Sequence, residues 1–124
     1  MGLLELAERC ERATGPDRVL MCSAFKAVFP EVADGAWDAI DAWDARYDRF
    51  CTMLDAGAHE NAALMLVPEE WTFELRDRYA RVIHPRKPSM DAEGRSPMGS
   101  PALALTAACL RALAAAQPKG QRDG

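Results

Sequence analysis

Five aspartates, Asp34, Asp38, Asp41, Asp44 and Asp48, follow one another at steps of 4, 3, 3 and 4 residues. On a helix those steps place the carboxylates along one edge. A continuous row of fixed negative charge imitates the charge pattern of a phosphate backbone. It would steer a basic, nucleic-acid-binding protein toward it, with strong salt dependence. An ordinary solvated helix face presents the same pattern. Neighbouring like charges at these spacings repel by roughly 0.2 to 0.5 kcal/mol per pair, and Arg46 and Arg49 offset only part of that. From Glu31 to Glu60 there are eight acidic and two basic residues, a local charge of -6 in a chain whose total is -4. As a hydrolytic pair, Asp41 and Asp44 lack a neighbour in sequence that would drive their pKa values apart. No cation-binding loop accompanies them.

A second constellation has the opposite sign. Between Arg76 and Arg95 six basic residues (Arg76, Arg78, Arg81, Arg86, Lys87 and Arg95) face three acidic ones, Asp77, Asp91 and Glu93. With Trp71 and Tyr79 nearby, these arginines suit phosphate clamping and base stacking. Arg76, Arg78, Tyr79, Arg81, Arg86 and Lys87 are therefore the alternative ligand-binding residues, for a protein that sequesters a nucleotide signal. No glycine-rich phosphate cradle supports them, and a basic solvated surface explains the same residues.

Other chemistry finds little support. Cys10, Cys22, Cys51 and Cys109 form no C-x-x-C pair, and neither His59 nor His84 stands at ligand spacing from another soft donor. Each cysteine reads as a small buried hydrophobe. Ser96, Ser100, His84 and Asp91 sit in no nucleophile-elbow or related motif. No metal, cofactor or catalytic residue is expected.

The elements that must position these groups follow from periodicity. Leu3, Leu6, Ala7 and Cys10 define one face of a first helix that Gly15 can stop. A second starts at Pro16, with Thr14 or Gly15 near its cap and Asp17 at the positive end of its dipole, and ends before Pro30. After a link holding Gly35, Trp37, Ile40, Trp43, Tyr47 and Phe50 recur at helical steps over Ala36 to Phe50, beside the aspartate ridge. His59 to Val67 reads as a short helix closed by Pro68. Trp71, Phe73 and Leu75 then alternate with polar residues, and Tyr79 to His84 is rich in strand formers, which predicts a β-hairpin over 71–84. Pro85 to Gly99 reads as a loop. Ser100 and Pro101 begin a helix, Pro101 to Ala116, so apolar all round that it must be buried or serve as a homodimer seam.

The chain has 124 residues, enough for one core, and 49% hydrophobic against 27% charged residues rules out wholesale disorder. The negative balance disfavours direct nucleic-acid binding. No apolar run approaches a membrane span, and the first residues carry acidic groups unlike those of a signal peptide, so the expected location is the cytoplasm. The reading is a mostly helical α+β domain over 1–117, with a small antiparallel sheet and a polar tail over 118–124. Its core would take Leu6, Cys10, Leu20, Phe25, Trp37, Ile40, Trp43, Leu66, Trp71, Phe73, Leu110 and Leu113.

Three segments taken together, AERCERATGPDR, LVPEEWTFEL and SPALALTAACLRALAA, resemble a family of small, uncharacterised phage and prophage proteins of proteobacteria. The resemblance implies a phage origin and an α+β sandwich with helices flanking an antiparallel sheet, and brings no catalytic site. With the acidic ridge, it leads to the expectation of a non-enzymatic, anti-CRISPR-like inhibitor of bacterial defence. Its partner would be a host protein with a basic surface, docked at Asp34, Asp38, Asp41, Asp44 and Asp48. The third expectation is a role in phage structure or assembly.

Overall fold

The computed structural model describes residues 2–15, 17–32, 36–98 and 100–116. The expectations placed on Asp34, on Pro16 as a helix start, on the Gly35 link and on the 118–124 tail fall outside them. The elements run α1 (Leu3–Arg12), α2 (Arg18–Val28), α3 (Trp37–Asp55), α4 (His59–Leu64), β1 (Thr72–Leu75), β2 (Tyr79–Ile83), β3 (Ala92–Arg95) and α5 (Pro101–Ala116). The chain is a small α+β protein with an antiparallel sheet packed on helices.

α5 is the centre of the molecule. Ala102 to Leu110 and Ala112 are all buried, and its neighbours are β3 and β2 on one side and α1, α4 and α2 around the rest. Its alanines let the surrounding elements come close, while Leu103, Leu105 and Leu110 fill the gaps between them. The start is built as the residue types require: the Ser100 hydroxyl accepts from the Leu103 N–H at 3.3 Å, and the Ser96 hydroxyl accepts from the Ser100 N–H at 3.2 Å. Along Ala102 to Leu110 its apolar faces are covered by the chain's own elements, while Leu113 and Ala114 are half-buried and Ala115 and Ala116 exposed.

The expected hairpin forms, with Thr72 opposite Ile83 and Leu75 opposite Ala80. The stretch expected as a loop, Pro85 to Gly99, instead holds a single 3-10 turn, Pro88–Met90, and the third strand, which pairs Ala92 with Val82 and Arg95 with Tyr79. The strand order is β1-β2-β3. Ala80, Val82, Ala92 and Gly94 are buried toward α5, whereas Tyr79, Arg81, Glu93 and Arg95 alternate with them. Among the described residues, α5 covers the face of the sheet that carries the buried residues. Gly94 is required where it stands: a Cβ there would lie 2.0 Å from the Ala104 carbonyl oxygen and 2.7 Å from the Ala108 nitrogen.

Helix ends show two further devices. Asp17, rather than Thr14 or Gly15, caps α2, its carboxylate accepting from the Leu20 N–H at 3.1 Å. α3 ends in a Schellman motif: Gly57 at φ 77° donates to the Leu54 carbonyl at 3.1 Å, and Ala58 donates to the Met53 carbonyl at 2.8 Å.

The core contains Leu6, Cys10, Phe25, Leu66 and Leu110, with Leu20, Trp43, Trp71 and Leu113 half-buried at its margin. Three expected members are outside it, among them Ile40, which is half-buried. Trp37 is 73% exposed because the first turns of α3 run beyond the helix they pack on, and Phe73 is 44% exposed on β1, the strand farthest from α5.

Candidate functional site

α3 meets the body through its aromatic stripe. Phe25 on α2 is the hub, with ring centroids 5.7 Å from Trp43, 5.2 Å from Tyr47 and 4.9 Å from Phe50. The Trp43 indole N–H donates to the Phe29 carbonyl at 2.6 Å, and Trp43 stacks on Tyr47 at 5.1 Å. These contacts fix which side of α3 faces inward. They turn the ridge about one residue step around the helix, away from the core.

Asp38, Asp41, Asp44 and Asp48 are all exposed, and among the described residues none has a cation within ion-pair distance. The two local arginines do not neutralise them. Arg46 lies over the Phe29 ring at 4.6 Å, engaged by the aromatic face, and Arg49 makes no ion pair among the described residues. Asp38 occupies the first turn of α3, where the helix dipole favours a carboxylate. Beside the ridge, Ile40, Trp43 and Asp44 with Glu31 and Val32 line a shallow groove of about 190 Å³. Trp37, in the first turn of α3, is exposed. The surface is acidic, with one large aromatic group left unburied.

The alternative residues do not converge. Arg81 pairs with Asp91 at 2.8 Å, and the Tyr79 hydroxyl donates to Glu93 at 2.8 Å. That hydrogen bond holds the Tyr79 hydroxyl above its ordinary pKa. Arg78 stays near Asp77 at 3.9 Å, and exposed Arg76 precedes it in the turn between β1 and β2. Arg86 and Lys87 follow the sheet, and their backbone N–H groups donate to His84 Nδ1 at 3.0 and 2.9 Å. Trp71 packs edge-on against the His84 ring at 4.7 Å, and among the described residues no cation lies over Trp71, while Arg95 lies over Tyr79 at 5.3 Å.

One cleft has no counterpart in the sequence reading. About 510 Å³ of open space lies between α1, the sheet and α5, lined by Glu11, Arg81, Asp91, Glu93, Arg95 and Arg111. Glu11 and Arg111 stand at opposite ends of the chain, and no local spacing connects them. Their charges are matched within the cleft: Arg111 pairs with Glu11, Arg81 with Asp91, and Arg95 lies 3.9 Å from Glu93. Ser96 and Ser100 are spent as caps, and Asp91 holds Arg81 and the His84 N–H. Among the described residues no group of three or more His, Cys, Asp or Glu side chains is placed to hold a metal ion, and no helix is long and apolar enough to cross a membrane.

No family model, curated protein or solved structure matches this chain.

Proposed function

We propose that this chain is a non-enzymatic binding protein of phage or prophage origin. It docks through the acidic edge of α3 on a basic, nucleic-acid-binding host protein and so blocks a bacterial defence system. The observation that carries the reading is the row Asp38, Asp41, Asp44 and Asp48, exposed and without ion-pair partners among the described residues. Trp37 supports it, because an exposed Trp is of the residue type enriched among interface hot spots. The phage origin rests on the resemblance of the three sequence segments. The nucleotide-sequestering alternative has less support, since Arg81 and Tyr79 are already engaged by Asp91 and Glu93.

Capture from a bacterial lysate at low and high salt tests the reading, with Asp38, Asp41, Asp44 and Asp48 changed together to Asn as the control. The wild-type protein should retain a basic, nucleic-acid-binding protein that is released as salt rises, because exposed charges are screened. Retention of the same protein by the Asn variant, or retention indifferent to salt, overturns it.

A further inference from the structure

Cys22 on α2 and Cys51 on α3 are both free and half-buried. The contacts on either side of them set their relation. One turn back along α2, the Arg18 guanidinium pairs with Asp55; one turn forward, the Lys26 ammonium lies 5.6 Å from the Tyr47 ring centre. Arg18, Cys22 and Lys26 succeed one another at four-residue steps along α2, and Asp55, Cys51 and Tyr47 do so in the reverse direction along α3. Two antiparallel helices that match at Arg18 with Asp55 and at Lys26 with Tyr47 place Cys22 opposite Cys51 on the rung between. Phe25 against Phe50 at 4.9 Å and against Tyr47 at 5.2 Å holds the adjoining layer closed. Both thiols also act on one hydroxyl: Tyr47 is pushed up to about 12 by the Cys22 thiol first, then by burial and by Cys51. Cys10 and Cys109 differ, being buried in the core, with burial raising both thiols far above the ordinary range.

We propose that Cys22 and Cys51 form a redox-active dithiol that closes to a disulfide across the α2–α3 interface by exchange with a low-molecular-weight disulfide of the glutathione class. One cysteine gives its proton to solvent, and its thiolate attacks the small disulfide. A mixed disulfide forms and one small thiolate leaves. The second cysteine, deprotonated in turn, attacks the protein sulfur of that mixed disulfide and expels the second small thiolate. The reagent's S–S bond is broken and one S–S bond forms in the protein. Two protein thiols are oxidised by two electrons, and the two released thiolates take up the two protons. The product ties the acidic helix covalently to α2. The inference stands on the helix register and is independent of the docking reading.

The test is equilibration of the full chain in mixtures of reduced and oxidised glutathione, followed by acid quench, alkylation of the unfolded protein and mass spectrometry. At the oxidising end the protein should lose two hydrogens and two of its four alkylatable thiols, and yield a peptide linking Cys22 to Cys51 while Cys10 and Cys109 stay alkylated. The Cys51→Ser variant should stop at a single glutathione adduct on Cys22. Because the wild-type mapping needs no variant, a poorly folding substitution leaves the test intact. Separate glutathione adducts on Cys22 and Cys51 in the wild type, a link to Cys10, Cys109 or a second chain, or persistence of all four thiols overturns the proposal.

Discussion

Arg111 grips the Glu11 carboxylate with both terminal nitrogens, at 2.6 and 2.7 Å, joining the last helix to the first. The same guanidinium donates to the Glu93 carbonyl at 3.0 Å, and Glu11 accepts the Arg95 backbone N–H at 2.8 Å. One ion pair thus ties α1, β3 and α5 together. The hydrogen bonds from Arg111 first, and then from the Arg95 backbone, hold the Glu11 carboxyl below its ordinary pKa against the opposing effect of burial.

Both side chains of this pair are less than a third exposed, at 29% and 20%, so removing one leaves a poorly solvated charge behind. Arg111→Ala should cost about 2 to 3 kcal/mol in urea unfolding, and Arg111→Lys part of that, since an ammonium cannot bridge both carboxylate oxygens. The pH dependence has a fixed sign. A depressed carboxyl contributes stability that is present above its unfolded value, near 4.5, and is lost as pH falls through the folded one. Melting temperatures of wild type and Glu11→Gln should therefore differ at neutral pH and converge in acid. A gap that stays constant as the solution is acidified contradicts the assignment.

Gly94→Ala should be severe. The added methyl carbon would meet the backbone of α5 at Ala104 and Ala108 rather than a movable side chain, so the helix and β3 must separate. Overpacking of this kind costs about 1 to 3 kcal/mol or more. Urea unfolding reads it directly, and a variant as stable as wild type would show that the sheet does not lie on α5 as described.

That contact also explains what was legible beforehand and what was not. Helical stripes and the Ser100–Pro101 start marked the helices, and aromatic and branched residues marked the hairpin. β3 carries neither signal. Its inward residues, Ala92 and Gly94, are small because a helix backbone presses on them, and its outward residues, Glu93 and Arg95, are charged. Small alternating with charged in a proline- and glycine-rich stretch reads as loop until the helix is in place. The stripe of four aromatic residues and Ile40 is visible in the spacing, but where α2 stops supporting it is not, and Trp37 lies past that point. The ridge needed only helical periodicity, whereas the cleft joined by Glu11 and Arg111 needed the whole topology.

The buried hub on α2 and the exposed leading end of the α3 stripe should respond very differently to truncation. Phe25 is fully buried at the hub of four aromatic contacts, and Phe25→Ala should cost about 3 to 5 kcal/mol. Trp37→Ala should change stability by less than about 0.5 kcal/mol, as exposed positions generally do. Thermal melts of the two variants check the contrast, and a strongly destabilised Trp37→Ala would place that side chain in the core after all.

Gly57→Ala isolates backbone strain from packing. No atom lies within 4 Å of the position a Cβ would take, so the φ of 77° is the source of any penalty. A side chain held in the left-handed region should lower stability by about 1 kcal/mol, measured by urea unfolding. Gly57→Asn should lose less, because asparagine tolerates that conformation better than alanine.

The aspartate row carries a stability prediction separate from binding. Asp41, Asp44 and Asp48 repel one another along α3, and neither Arg46 nor Arg49 pairs with them. Changing all three to Asn while keeping Asp38, which the helix dipole favours, should raise the melting temperature slightly at low salt. The difference should shrink as salt rises, because screening removes the repulsion in the wild type and leaves the variant unaffected. A variant less stable than wild type at low salt would mean that these carboxylates make favourable contacts within the chain. They would then be unavailable to a partner. A variant that melts higher and no longer captures the basic protein would separate the two roles, with the same charges opposing the fold and serving the interface.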